Sequence, residues 1–523
     1  MIGGKEEEMV CSKKKHIISM MLWGALLVGF GLTRLALLME LPAGLHIDEA
    51  GMAYDAWCLS QYGVDRYLKS WPVYLNNFGG GQSSMYAFLC AFLFKIFGWH
   101  SFLIRVPGCV FSLLNLVFGV KIARRIYPEN NYMPYAVGVL LVICPYFILA
   151  ARFGLDCNLM LGMSTMFLYF FIRALENGTL INYVAAGIMG GLVLYTYVLA
   201  YIILPLFLIM NLLYCLRIRR LEWKKWFAMA VPMGILAAPL IAVQIVNMFD
   251  LQEMTWGIFT ITKLEIYRAS ELGYFNFAYL PQAWKSIFSG DDLVYNSIPG
   301  IPNLYGKTSA LFVLGSVCIL GKTAISIKDR KWLPASCVLF WFLSVWILCL
   351  HIESNTNKIN GIFYAVILMA IEGIWVLWRA RGWIARGICV LWTGIYVWGF
   401  FRFGQYYYSG VYMQNNPEMP YFDCLVEEGI SYIEGDPLLR ERVTYMAEAG
   451  IYYALSVRPS PYELRIGERK DNRYGQYVWN GLGVIEEDCN YIVRHTFAEY
   501  MGELRSMGFQ EIDYGAYSLF YME

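Results

Sequence analysis

The chain has 523 residues, of which 58% are hydrophobic, 17% aromatic and 15% charged, with a formal net charge of +1. That balance excludes an ordinary soluble domain arrangement, and the near-zero charge argues against nucleic acid as a partner. A helix needs about 20 apolar residues to cross the hydrocarbon of a bilayer, and runs of that kind recur along the chain. The fold class expected is therefore an α-helical polytopic membrane protein.

Taken in order, the segment MIGGKEEEMVCSKKKH precedes the first apolar run. No small-residue cleavage site follows that run, so it is read as a retained span. Spans are expected at about 17–39, 101–123, 134–150, 159–175, 182–199, 201–216, 226–247, 309–327, 333–350, 359–379 and 383–401, eleven in all. The run from Met85 to Trp99 is set aside. It has only 15 residues, carries Lys95 and ends at Gly98, which suits an interfacial or re-entrant helix in the first outer loop, 40–100. Leaving it out places Lys13-Lys14-Lys15, Arg124-Arg125, Arg173, the cluster 217–225, the cluster 322–331 and Arg379, Arg381 and Arg386 on the cytoplasmic side. Cytoplasmic loops collect such residues.

With that topology the N-terminus lies inside a plasma membrane, and the polar clusters all lie outside. The inner loops are short and basic, whereas 40–100, 151–158, 248–308, 351–358 and the tail from Arg402 face outward. The spans hold almost no charge apart from Arg34, Arg105 and Glu372, unlike a carrier with ionisable groups along its path. The tail is more charged and alternates. VTYMAE (443–448), NYIVRH (490–495) and 517–521 predict strands and FAEYMGELRSMG (497–508) predicts a helix, together a small α/β domain. The division expected is a transmembrane module, 1–401, and an extracytoplasmic domain, 402–523. Most of the 13 cysteines sit in apolar runs as small hydrophobes, and Cys424 and Cys489 are the pair open to a bridge.

Three outer clusters carry the candidate chemistry. The first is His46, Asp48 and Glu49, where Asp48 is either a helix N-cap or a proton acceptor. A divalent cation held by these three is an open alternative to a solvated loop histidine. The second is Arg152 with Asp156 and Asn158. There Arg152 is either an interfacial anchor or a phosphate ligand. The third is His351, Glu353, Asn355, Asn357, Lys358 and Asn360, with Lys358 open to the same two readings. Asp291-Asp292 reads as a turn. Cations that neutralise a phosphate, beside a carboxylate that takes a proton, describe transfer between a lipid phosphate and an alcohol.

The order of these pieces resembles a known family. A DEA acid pair opens the first outer loop, followed by the G-x-S-x-x-Y-x-F stretch 81–88, RVP at 105–107, ARR at 123–125 and PYFILAARFGLD at 145–156, with NKING at 357–361. This is similar to the GT-C polyprenyl-phosphate-dependent glycosyltransferases of family 39, which include protein O-mannosyltransferases and aminoarabinose transferases. The resemblance is best over residues 17–200. It implies inverting transfer of a sugar from a polyprenyl-phosphate donor to a hydroxyl of a lipid, glycan or protein, outside the cytoplasmic membrane. It also implies Asp48 as base with Glu49 in support, Arg152 and Lys358 on the donor phosphate, and Asp156 in the second outer motif; Asp156, His46, Tyr54 and His351 are the candidates for acceptor or sugar. The rival readings are a flippase of lipid-linked sugars and a cell-wall assembly scaffold.

Overall fold

The computed structural model describes residues 2–267, 273–290, 293, 295–306, 308–380, 382–415, 422–446, 450–468, 472–479 and 481–523. The Asp291-Asp292 turn, Arg381 and the last residues of the strand expected at 443–448 lie outside them. In chain order the helices are α1 (Ile2–Leu35), α2 (Ile47–Tyr62), α3 (Ser84–Phe97), α4 (Val106–Ile126), α5 (Met133–Ile143), α6 (Pro145–Arg152), α7 (Leu159–Asn177), α8 (Leu180–Val193), α9 (Ala200–Arg217), α10 (Trp223–Met248), α11 (Leu280–Phe288), α12 (Thr308–Asp329), α13 (Pro334–Leu348), α14 (Phe363–Arg379) and α15 (Trp383–Tyr408).

Among the described residues, eight helices are long and apolar enough to cross a membrane, starting with Lys15–Leu35 of α1 and ending with α15. α5 and α6 meet at Pro145 with a bend of 57° and make a ninth if counted as one span. Eleven apolar segments are helical where the sequence predicts eleven spans. Two of them, Leu180–Leu194 and Pro334–Leu348, fall short of full span length. α3 has 14 residues, which rise only about 21 Å, so it too is short of a span, as expected for 85–99. The architecture is that of a multi-pass membrane protein.

The chain separates into two compact units that do not follow the linear division at 401. One comprises 1–38, 108–238 and 269–409, and the other 39–107, 239–268 and 410–523. Long-range pairing explains the second grouping. The two-residue strand β1 (Leu45–His46) pairs antiparallel with a strand at Phe422–Asp423. Tyr54 donates its hydroxyl to the Pro459 carbonyl at 2.7 Å, and Tyr452 donates to Leu45 at 3.1 Å. The first outer loop therefore belongs with the tail.

In the helical unit, α12 and α14 are pressed together at glycines. A Cβ on Gly315 would lie 1.7 Å from the Met369 carbonyl oxygen, and one on Gly373 would lie 2.2 Å from that of Leu311. Small residues permit such an approach where lipid supplies no drive for association. In the second unit α2 packs on α3, and a hairpin joins β2 (Tyr74–Asn77) to β3 (Gly80–Ser83) through Phe78-Gly79. The tail forms a six-stranded mixed sheet in which Asn490–Arg494 is central, parallel to Thr444–Met446 and antiparallel to Tyr517–Tyr521. Tyr491, Val493, Met501, Leu504 and Phe520 form its core, with the helix Ala498–Ser506 supplying two of them. Cys424 and Cys489 are not bridged to each other by a disulfide.

Gly315→Val should cost about 1–3 kcal/mol by overpacking, read as a lower thermal midpoint in detergent. Gly321→Val on the same helix, where a Cβ meets nothing within 4 Å, should leave the midpoint in place.

Candidate functional site

The acidic cluster begins with a helix start. His46 is the N-cap of α2 in extended conformation, and its Nδ1 accepts the Asp48 backbone N–H at 3.2 Å. Glu49 closes the reciprocal half of the capping box by accepting the His46 N–H at 2.9 Å. Its other partner is Arg105, whose Nε lies 3.3 Å from Glu49 Oε1, with both side chains fully buried. Arg105 also donates to the carbonyls of Pro42 and Gly44. A buried carboxylate in such a pair has no face for substrate, so the catalytic role expected for Glu49 is corrected. It is a positioning residue that fixes the first turn of α2.

Asp48 differs from its neighbour. Its side chain is 44% exposed, its Oδ1 accepts from Asn77 Nδ2 at 3.1 Å, and its Oδ2 lies 3.6 Å from His46 Nδ1. Asn77, at the end of β2, in turn accepts from Arg66 Nη2. Arg66 is paired with Asp55 at 3.3 Å, and its backbone N–H donates to the same carboxylate at 3.0 Å. Burial pushes the Asp55 carboxyl up, against the downward pull of Arg66. Asp65 is likewise buried and accepts the N–H groups of Tyr67 and Lys69 at 2.9 Å. The network needs Gly51 on the facing turn of α2, since a Cβ there would sit 2.5 Å from Asn77 Oδ1 and 3.0 Å from Arg66. Of the acids Asp48, Glu49, Asp55 and Asp65, only Asp48 offers a carboxylate to solvent.

Asp55, Asp65, Arg66 and Asn77 carry no family signature in the sequence reading. The one local signal was charge at Asp55, a residue otherwise at a position where α2 is apolar. Tyr54 is fully buried with its hydroxyl on Pro459. The sugar-facing role expected for it is corrected to a tie between α2 and the tail.

His46, Asp48 and Glu49 do not fit a metal. His46 Nδ1 already accepts an N–H and Glu49 is held by Arg105. Among the described residues, side-chain ligand atoms converge at ligating distance only at Glu486, Asp488 and Cys489.

The other two clusters lie in the helical unit, and asparagines join them. Asn158 and Asn296 exchange amide hydrogen bonds at 3.1 and 2.6 Å, and Asn296 donates to Asn357 Oδ1 at 2.6 Å. Asn360 donates to the Cys157 carbonyl. Asp156 is half-buried and accepts the Cys157 N–H, and Lys358 is half-buried with its N–H on Asn355 Oδ1 at 2.9 Å. Asn296, from a loop the sequence left unmarked, is the bridge. His351 stays apart from it in bonding: its Nδ1 lies 3.2 Å from the Gly273 carbonyl oxygen and its ring meets Phe275 edge-on.

Arg152 requires a correction. It is fully buried, and its guanidinium donates to the carbonyls of Thr33, Arg34, Ala36 and Leu37 and to the Tyr407 hydroxyl. These are carbonyls at and just past the end of α1, which lack partners within the helix. Arg152 closes that end, as a cation suits a helix C-terminus, and presents no face to a donor phosphate.

Burial pushes the His46 imidazole below its ordinary value, against the upward pull of Asp48 and Glu49. A neutral ring is also what the cap needs, because a protonated Nδ1 cannot accept. The unfolded chain takes up a proton here on acidification and the folded chain resists, so this stability is present above the ordinary histidine value and is lost as pH falls. The thermal midpoint should drop between about pH 7 and pH 5.5. His46→Asn, which caps without titrating, should flatten that drop relative to wild type.

Residues 82–246 match the family described as dolichyl-phosphate-mannose-protein mannosyltransferase. No curated protein matches the chain. Among solved structures, ArnT from Cupriavidus metallidurans bound to undecaprenyl phosphate aligns over 96% of this chain and 97% of its own, at 12% identity and a TM-score of 0.53. The same protein in its apo state gives 0.52 over the same shares. The arabinosyltransferase EmbB from Mycobacterium smegmatis gives 0.40 over 68% of this chain and 30% of its own, at 13% identity, too low for a fold argument. The chain has the GT-C fold of ArnT, and its segment 82–246 carries the mannosyltransferase family's sequence pattern, in agreement with the resemblance in the motifs.

Proposed function

We propose that this protein is a membrane glycosyltransferase that moves a sugar from a polyprenyl-phosphate donor to an acceptor hydroxyl, with inversion, on the extracytoplasmic side of the plasma membrane. The observation that carries the reading is Asp48: the one solvent-facing carboxylate in a network of buried, paired acids, held by Asn77 at the start of a capped helix. The family match over 82–246 and the fold shared with a protein that binds undecaprenyl phosphate support the donor class.

In this mechanism the acceptor hydroxyl gives its proton to Asp48 as its oxygen bonds to the anomeric carbon. The bond from that carbon to the phosphate oxygen breaks with its electron pair, and the lipid monophosphate leaves. Positioned proton transfer of this kind contributes about 10²–10⁴-fold. The leaving phosphate calls for a cation. Arg152 is committed to the end of α1 and does not supply it. Two side-chain oxygens on the hairpin, Asn76 Oδ1 and Gln82 Oε1, are buried with no donor among the described residues, which suits a ligand rich in O–H donors.

The test is purified protein in lipid with a panel of radiolabelled polyprenyl-phosphate sugars, reading which label leaves the lipid. Asp48→Asn should lower transfer by about 10²-fold or more with yield and thermal midpoint unchanged; full transfer by that variant removes Asp48 as the base. Asn77→Asp keeps a partner for Arg66 and sets a second carboxylate against Asp48. It should raise the pH at which activity appears by about one unit, whereas a residue serving the fold alone would leave the pH profile in place.

A further inference from the structure

At the other end of α1 from the Arg152 closure lies a cavity of about 250 Å³ that the reaction does not use. Its lining comes from α1 (Lys15, Ser19, Leu22), the end of α4 (Arg124) and the start of α5 (Tyr132, Tyr135), all within the helical unit. Lys15 comes just before the apolar part of α1, which begins at Ile17, and Arg124 lies two residues from the end of the membrane-length stretch Val106–Ile126, so both cations suit headgroup depth.

Among the described residues, neither Lys15 nor Arg124 forms an ion pair, although Arg125, one residue on, pairs with Glu176. Arg124 is nonetheless held in place. Its guanidinium stacks 5.1 Å from the Tyr135 ring and 6.0 Å from Trp23, and it donates to the Tyr135 hydroxyl, which Ser19 meets at 2.6 Å. An exposed arginine pinned by two rings and a hydroxyl, with no carboxylate, is preorganised for an external anion.

The cavity also has a direction. Lys15, Ile18, Ser19 and Leu22 share one face of α1, and Leu22 is about 10 Å deeper than Lys15. The α1 face of the lining therefore passes from charged to apolar along the helix. An inorganic anion would use only the mouth, whereas a molecule with a phosphate and an apolar tail would use the whole length.

We propose that this cavity binds the phosphate of an anionic glycerophospholipid, with Lys15 and Arg124 on the phosphate and Ile18 and Leu22 along the start of an acyl chain. The volume suits the phosphate and glycerol, while the rest of each chain remains in the bilayer. The proposal is independent of Asp48 and of the transfer reaction.

The test uses the full chain in mixed vesicles and nanodiscs of phosphatidylglycerol and phosphatidylcholine, with retained lipid read by native mass spectrometry. Two cations at an anionic headgroup predict a preference of about 30-fold for phosphatidylglycerol. The double variant Lys15→Gln with Arg124→Gln should reduce that to about threefold or less. Lys121→Gln, an exposed cation on α4 that does not line the cavity, should leave it unchanged. A photoreactive phosphatidylglycerol should label peptides spanning 15–22 or 124–135 of the wild-type protein, which keeps the proposal testable if the double variant misfolds. Equal retention of the two lipids, equal loss with Lys121→Gln, or labelling confined to other helices would overturn it. Inorganic phosphate or glycerol phosphate displacing the labelled lipid at micromolar concentration would reassign the site to a soluble phosphate and overturn the lipid reading.

Discussion

Two buried side chains of opposite charge, Glu49 and Arg105, face each other at 3.3 Å with no access to water, and the start of α2 depends on them. Desolvating such a pair is costly, and it persists only where the remaining hydrogen-bond capacity of both groups is filled. Here it is filled by the His46 N–H on one side and the carbonyls of Pro42 and Gly44 on the other. The same contacts set where α2 begins and which way its first turn points. Asp48 is one residue from Glu49, so a fully buried pair decides where the accessible carboxylate lies.

The helical unit solves a related problem at the end of α1. In hydrocarbon an open helix end leaves carbonyls that water cannot reach, and each must find a donor inside the protein. Arg152 supplies several N–H groups to that one turn, and Arg34 reaches the carbonyls of Leu141 and Val142 at the break between α5 and α6. Glu372, buried in α14, is met by Lys322 and by the Tyr127 hydroxyl. The charges in apolar runs are thus structural, each answering a nearby polar demand, rather than steps along a transport path.

Neutral amides do the finer work. An asparagine both donates and accepts, so it can link groups without adding a charge to a dry site. Asn77 joins the buried Arg66–Asp55 pair to Asp48 in this way. Asn296 joins residues 158 and 357, two segments almost two hundred positions apart. Strong fields are kept in closed pairs, and the carboxylate that faces water is touched by an amide and a neutral imidazole.

Much of this is legible locally. Apolar run length set the membrane class, Gly98 marked the end of a short helix within 85–99, and alternation marked three strands of the tail. The acid pair after the first span marked the start of a helix, but the cap is His46 rather than Asp48, and which of the two acids faces water was not legible. What a fully buried polar group bonds to is different, since its partner is chosen by packing between segments far apart in the chain. Arg152 and Lys358 read alike as basic residues beside spans, yet one is enclosed by the carbonyls that end α1 while the other remains half-buried. Tyr54 was expected near acceptor or sugar, yet the fold brought Pro459 to its hydroxyl. The sequence by itself determined the class and the helices; the tertiary structure alone decided which of the charges are enclosed and which acid of the pair faces water, because enclosure depends on contacts that no local spacing encodes.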